Sequence, residues 1–391
     1  MPPPAPPAAV LMDEIMEDVL HRLPPDDPAS LARATLVCRP WWRLVSDAGF
    51  RRRYRDRHRT APMLGFLRSS TDAGDVGAAR FVPTSSFRPP RGDRAGLRAL
   101  DSRHGRVLLR TTPWRGEPSK DALLVWDPVT DEERELPALP CYPHPSASNW
   151  NAAVVCAAAA AACDGGCSHL DCHRDPFLVV FAGFRDFKAF ACVYSSEAAA
   201  WSEPTYCGCM HHQFDVSPSV HVGNALYFML HSSSCVLQYD LITRRLSVFL
   251  LPYILYQSSN VLMTTEGGGL GFASMADSRL FLGSRVAGPD GGASWVVSRV
   301  IELNTMVSID ALLPPPRVVG FAEGVGVIFK MGDGLFTIDR QYNQVTKVGD
   351  VSGICEIVPY VSFCLPESPA TSMMEVVLAL ESRALGNGVG V

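Results

Sequence analysis

The chain has 391 residues, 47% of them apolar and 19% charged, with a formal net charge of −5 at pH 7. It is long enough for a small module plus one large domain, and its composition is that of a globular protein rather than a disordered or fibrous one. The acidic balance excludes general binding to nucleic acid or anionic membrane surfaces. The longest apolar run, twelve mostly alanine residues from Ala152 to Cys163, is too short to cross a bilayer. The first ten residues, MPPPAPPAAV, lack the basic start and apolar core of a secretory leader. The expected location is therefore cytoplasm and/or nucleus, and the twelve cysteines are expected to be thiols.

Residues 1–10 are proline-rich and read as disordered or extended. From Leu11, apolar residues recur at three- and four-residue steps: Leu11, Ile15, Val19, Leu20 and Leu23 form one helical stripe. Asp13, Glu14, Glu17 and Asp18 are placed in its first turns, where carboxylates favour the positive end of the helix dipole. Pro24-Pro25 ends that helix, and Asp27-Pro28 offers an N-cap with proline at the first helical position. A second helix carries Leu31, Ala34, Val37 and Cys38; a third, after Pro40, carries Trp41, Leu44 and Val45.

This stretch resembles an F-box, the module that binds the Skp-type adaptor of cullin-RING (SCF) ubiquitin ligases. The residues that carry the likeness are Leu11, Glu14, Ile15, Val19-Leu20, Leu23-Pro24, Leu31, Val37-Cys38-Arg39, Trp41, Leu44-Val45 and Ser46-Asp47. Met12 stands where the family usually has proline. The resemblance implies an F-box over 11–50 and adaptor contacts from Leu11, Ile15, Leu20, Leu23, Pro24, Leu31, Val37, Cys38 and Trp41. Residues 51–61 follow as a basic linker with six arginines, read as the solvated face of a linker helix. A nuclear import signal is the sharper alternative.

From residue 62 the helical spacing gives way to short β-branched and aromatic runs between Gly, Pro, Asp and Ser turns. Asp127, Ser195, Asp240, Glu302 and Asp339 are taken as equivalent points of a repeat, at steps of 68, 45, 62 and 37 residues. Blades of roughly 40 to 50 residues with long loops fit these steps. The expected fold is a small all-α module followed by an all-β domain over 62–366, a β-propeller of about six blades in which radial packing buries the sheet faces. The sequence also resembles F-box proteins of grasses, in which a divergent propeller follows the F-box, through stretches such as Gly105-Arg106-Val107-Leu108-Leu109, Val125-Trp126-Asp127-Pro128 and Val193-Tyr194-Ser195-Ser196-Glu197. The tail, 367–391, has a capping box at Ser372-Met373-Met374-Glu375 that suits a short helix.

Catalytic signatures are missing: no G-x-S-x-G elbow, phosphate-binding loop, H-E-x-x-H or dinucleotide fingerprint occurs. Gly267-Gly268-Gly269 and Gly324-Val325-Gly326 read as hairpin turns. Cys156, Cys163, Cys167, His169, Cys172 and His173 bring zinc-type ligands together, but C-x3-C-x-H-x2-C-H matches no pair of separated knuckles. The segment is read as a plain surface loop, with no metal or cofactor assigned. Cys207, Cys209, His211 and His212 form a second, smaller group.

The function implied is that of a non-enzymatic substrate receptor of an SCF-type ligase: the F-box engages the Skp-type adaptor and through it the cullin, and the propeller holds an unidentified protein target. Two alternatives stand beside it. One is a propeller enzyme or ligand-binding protein with an incidental helical N-terminus. The other is an F-box scaffold acting outside a ligase.

Overall fold

Four helices lead the chain: α1 (Ala8–His21), α2 (Pro28–Val37), α3 (Arg39–Ser46) and α4 (Ala48–His58). The computed structural model describes residues 8–70, 78–112, 122–139, 150–160, 167, 169–170, 172–208, 213–215, 217–230, 235–252, 259–288, 292–306, 315–340, 343–351, 353 and 355–365, with α1 side chains from residue 14 onward. Residues 1–7 and the tail from 366, with its expected helix, lie outside that set. Because α1 begins at Ala8, its carboxylates fall in later turns than expected and make lateral ion pairs instead. Glu17 pairs with Arg53 of α4 at 2.5 Å and Asp18 with Arg22 at 2.5 Å. Pro28 opens α2 as anticipated, but the Asp27 carboxylate accepts from the hydroxyls of Ser30 and, at 2.6 Å, of Ser86. Those bonds hold Asp27 below the usual carboxylate range and tie the helices to the β domain.

The basic stretch after Phe50 continues α4, which buries Phe50, Tyr54 and Arg55. Leu20, Leu31, Val45, Phe50 and Tyr54 form one core with Phe363 and Leu365 from the far end of the chain. The expected small all-α module is not evident as a separate unit: the apolar stripe on these short helices is closed by the β domain.

The remaining strands build sheets in chain order. β1 (Met63–Ser70), β2 (Ala78–Pro83), β3 (Asp93–Ala95), β4 (Leu97–Arg103), β5 (Arg106–Thr111), β6 (Leu123–Trp126) and β7 (Glu133–Glu135) belong to one sheet. A five-stranded sheet follows: β8 (Trp150–Cys156), β9 (Phe177–Arg185), β10 (Lys188–Ser195), β11 (Ala200–Trp201) and β12 (Thr205–Gly208). Next is a four-stranded meander of β13 (Val220–Val222), β14 (Ala225–Leu230), β15 (Cys235–Asp240) and β16 (Leu246–Leu250). A second comprises β17 (Ser259–Thr264), β18 (Leu270–Ala276), β19 (Arg279–Ala287) and β20 (Ala293–Glu302). The third comprises β21 (Arg317–Ala322), β22 (Gly326–Met331), β23 (Gly334–Ile338) and β24 (Val345–Asp350). The last strand, β25 (Cys355–Val361), returns to pair antiparallel with β1, Leu67 opposite Val358. Within the first sheet, β2 and β4 meet only through one parallel pair, Ala78 and Leu97.

Neighbouring sheets bury their faces on each other. Phe181 and Val179 pack on Leu108 and Val125; Phe228 and Leu237 pack on Val180 and Ala182; Phe272 packs on Met229; Phe329 packs on Leu282; and Phe66 packs with Ile328 and Ile357. The chain is therefore mostly β, in a propeller-like arrangement where each sheet protects the faces of the next.

One turn recurs. After β6, β15 and β23, an aspartate (Asp127, Asp240, Asp339) donates its N–H to the carbonyl five residues on, in Glu132, Arg245 and Gln344. The fifth residue of each turn, Asp131, Arg244 or Asn343, has positive φ, as does Ala199 at the same distance from Ser195. In the first two, the aspartate side chain accepts the next free N–H groups, which pre-sets the turn. Four of the five expected repeat points are thus structurally equivalent. Glu302 is not: it ends the fourth strand of its sheet, and the corresponding turn there is the Gly288–Gly292 loop.

Candidate functional site: a polar cavity beside a cysteine–histidine cluster

A cavity of about 680 Å³ opens where β4, β13, β17, β21 and β25 converge, and it is rimmed by Arg59–Ala61 after α4 and by the 169–173 loop. His104 reaches it from a two-residue hairpin between β4 and β5, where His104 (φ 54°) and Gly105 (φ 75°) both have positive φ. Glycine is required at 105 for a second reason: a Cβ there would lie 2.9 Å from the His173 Cβ.

Asp101 is the buried charge of the site. Its Oδ2 accepts from Arg103 and, at 2.9 Å, from the Val154 N–H, while its Oδ1 is buried without a partner. Burial pushes its carboxyl up to about 6, against the pull of Arg103. Arg103 spans to the next wall, donating to the Ser219 hydroxyl at 3.0 Å and to the Ser219 carbonyl. The ion pair therefore joins β4 to the entry of β13.

Two histidines of the site, His104 and His221, are held neutral. Burial drives His104 down to about 2, with His169 adding to the effect. Its Nδ1 accepts the Cys156 N–H at 3.1 Å, so the proton of the neutral ring sits on Nε2. His104 stacks on His169 with centroids 4.4 Å apart. His221, on β13, is lowered to about 4 by burial and by Arg103, and its Nε2 is buried without a partner.

The structure also gathers part of the cysteine-rich segment. One ligand atom each from Cys156, Cys167, His169 and Cys172 lies within 4.8 Å of every other. Cys156, at the end of β8, and Cys172 are buried, which corrects the reading of a plain surface loop. The Cys172 thiol donates to the Cys156 sulfur, holding Cys156 below the usual thiol range and pushing Cys172 above it. Cys163 lies outside the described residues, as do Cys209, His211 and His212 of the second group.

The residues expected to contact an adaptor are divided. Leu20 and Leu31 are fully buried in the core shared with Phe363, so they are corrected from contact residues to core residues. Leu23 and Trp41 pack against the same core, and the Trp41 N–H donates to the Met16 sulfur at 2.8 Å. Ile15, Pro24, Val37 and Cys38 are exposed. Leu11 lies in α1 with its side chain outside the described residues.

No family model and no curated relative matches the chain. Among solved structures, it is similar to a periplasmic gluconolactonase of Pseudomonas aeruginosa, with 13% identity, 75% of this chain and 99% of that one covered, and a TM-score of 0.36. A Bacteroides uniformis protein named for 6-phosphogluconolactonase gives 12% identity, 75% and 100% coverage and a TM-score of 0.37. A post-proline cleaving enzyme of Rickettsia typhi gives 8%, 70% and 41%, and 0.34. Likeness at this level assigns neither substrate nor reaction. Each of these three is named as an enzyme or for an enzyme and none as a ligase receptor, so the non-enzymatic ligase receptor expected from the sequence is not carried forward.

Sequence reasoning missed Asp101, His104 and His221 because none belongs to a motif. The one local signal was His104-Gly105 between two apolar runs, a dipeptide suited to a tight hairpin.

Proposed function

We infer that the β domain is a six-bladed propeller whose cavity binds a small, neutral, hydroxyl- or carbonyl-bearing molecule. The blade number is supported by dividing the first sheet at its single parallel pair, with β25 completing the first blade. The ligand reading rests on one observation: Asp101 Oδ1 and His221 Nε2, in two walls of one cavity, are buried with unmet hydrogen-bonding capacity. Each unmet group costs about 1–3 kcal/mol, which a polar ligand would recover. Neutral imidazoles and an internally paired Asp101–Arg103 favour an uncharged molecule over an anion. The test is calorimetric titration with a panel of neutral polyols, lactones and amides against wild type and His221→Leu. Binding that weakens at least tenfold in the variant supports the reading; a panel that fails at millimolar concentration, or an unaffected variant, overturns it.

A second reading concerns the helices. Ile15, Val19, Leu36 and Val37 are 62%, 50%, 57% and 65% exposed, apolar surface that a protein partner would cover. We propose that this face takes such a partner, and the F-box resemblance makes a Skp-type adaptor the first to try. Failure of the purified adaptor to bind wild type sinks it.

A further inference from the structure

We propose that Cys156, Cys167, His169 and Cys172 form a structural zinc site that pins the 167–172 loop to the end of β8 at the cavity rim. It stands independently of the ligand reading. The geometry is close to what zinc requires. With Zn–S about 2.3 Å and Zn–N about 2.0–2.1 Å, the edges of a tetrahedral site are about 3.4–3.8 Å. Cys172 Sγ and His169 Nδ1 are 3.8 Å apart, already at that edge, and no pair in the group exceeds 4.8 Å. Closing the remaining gap takes about 1 Å of side-chain motion. Four protein ligands leave no open position, the pattern of a structural rather than a catalytic zinc.

The surroundings carry a second, independent sign. Arg106 is 3% exposed and rests on the Phe177 ring at 5.1 Å. Its Nη2 donates to the Asp175 carbonyl, but its Nη1 is buried without a partner. Of the groups around it, Cys172 and Cys156 would favour its charged form most once they are thiolates. A buried guanidinium cannot discharge itself and needs a nearby anion. Three thiolates and a neutral imidazole around a divalent ion carry a net charge of −1, which matches the single cation. The sulfurs also meet donors: the His169 N–H points to Cys167 Sγ at 3.3 Å. His104 stacks on the His169 ring and accepts from the Cys156 N–H, so it braces two ligands at once.

The ligand spacing explains why the sequence pattern was uninformative. Cys156 comes from a strand end and the other three from a loop, so no pair of knuckles exists to be seen.

The experiment is metal analysis of the full chain, purified with reductant and without chelator, followed by chelator stripping and titration with cobalt(II). We expect about one equivalent of zinc in wild type and, on titration, the visible spectrum of a tetrahedral cobalt–thiolate centre saturating at one equivalent. Cys172→Ser should lower bound metal by roughly tenfold or more. Cys207→Ser, outside the group, should leave it unchanged. The wild-type cobalt titration decides the matter even if Cys172→Ser does not fold. The proposal is overturned if stripped wild type gives no cobalt–thiolate bands, if mass analysis finds a disulfide among these cysteines, or if folded Cys172→Ser keeps its full metal.

Discussion

The helices and the cavity break the burial rule in opposite directions. The helices leave large apolar side chains in water at Ile15, Val19, Leu36 and Val37, whereas the cavity buries Asp101 and half-buries His104 and His221. An exposed aliphatic costs a small protein little, because over half of a folded surface is apolar in any case. A buried polar atom without a partner costs about 1–3 kcal/mol. The cavity is therefore the more expensive feature, and the stronger mark of a site. Between the two regions lies the shared core of Tyr54, Phe50, Phe363 and Leu365, which makes the helices part of the fold that carries the cavity.

The most direct way to break the comparison is to cut that core. Tyr54 is fully buried, its hydroxyl donating to the Leu23 carbonyl at 2.7 Å, and its ring meets Phe363 edge-on. Phe363→Ala should cost about 3–5 kcal/mol. Hydrogen exchange should show the loss in α2 and α4 first. Unchanged protection of both helices would mean that they stand without the β domain.

The next effect separates buried charge from buried apolar surface by pH. Asp101 has its carboxyl raised from 3.8 to about 6 in the folded protein, so the folded state binds the proton more tightly than the unfolded one. Its contribution is fully present below about pH 4 and is lost as pH rises through 6, a decline of about 3 kcal/mol. Asp101→Asn retains an acceptor for the Val154 N–H and should remove that slope. Equal slopes for wild type and variant in denaturant titrations between pH 4 and 7 would place the carboxylate in contact with water.

How far the sequence disclosed these regions follows from how each is encoded. The helices were legible because three- and four-residue apolar spacing is a local signal, as Leu20, Leu31 and Val45 show by being buried. Their partners were not, since Phe363 lies more than three hundred residues away and nothing local links it to Tyr54. In the β domain the repeated aspartate turn was visible at Asp127, Asp240 and Asp339, each closed by a backbone bond five residues on and, in the first two, by side-chain bonds as well. It failed at Glu302, which ends a strand; the equivalent turn of that sheet is closed instead between Gly288 and Gly292, with no aspartate at its start. The cavity was hidden for the same reason as Phe363: Asp101, Ser219 and His221 meet only after separate sheets converge.

A smaller effect probes the cavity's unmet capacity. His221→Leu removes the unpartnered Nε2 together with the ring's bond to the Gly223 backbone, so the two effects offset and stability should stay within about 1 kcal/mol while ligand binding weakens. A larger loss of stability would show that His221 is held by the fold rather than held for a ligand.

The smallest expected effect sharpens the contrast most. Ile15→Ser combined with Val37→Ser touches only exposed positions, so the change in unfolding free energy should stay within about 0.5 kcal/mol per site. Leu31→Ser, one turn and a half before Val37 on the same helix but buried, should cost several times more, because it places an unpaired hydroxyl in the core beside Tyr54. Denaturant melts of the two variants side by side decide between two meanings of an apolar stripe. If the double variant is as damaging as Leu31→Ser, the whole stripe serves folding and no surface is left for a partner. If only Leu31→Ser is damaging, the apolar positions of these helices divide into a set that builds the core and a set whose apolar character the fold does not need.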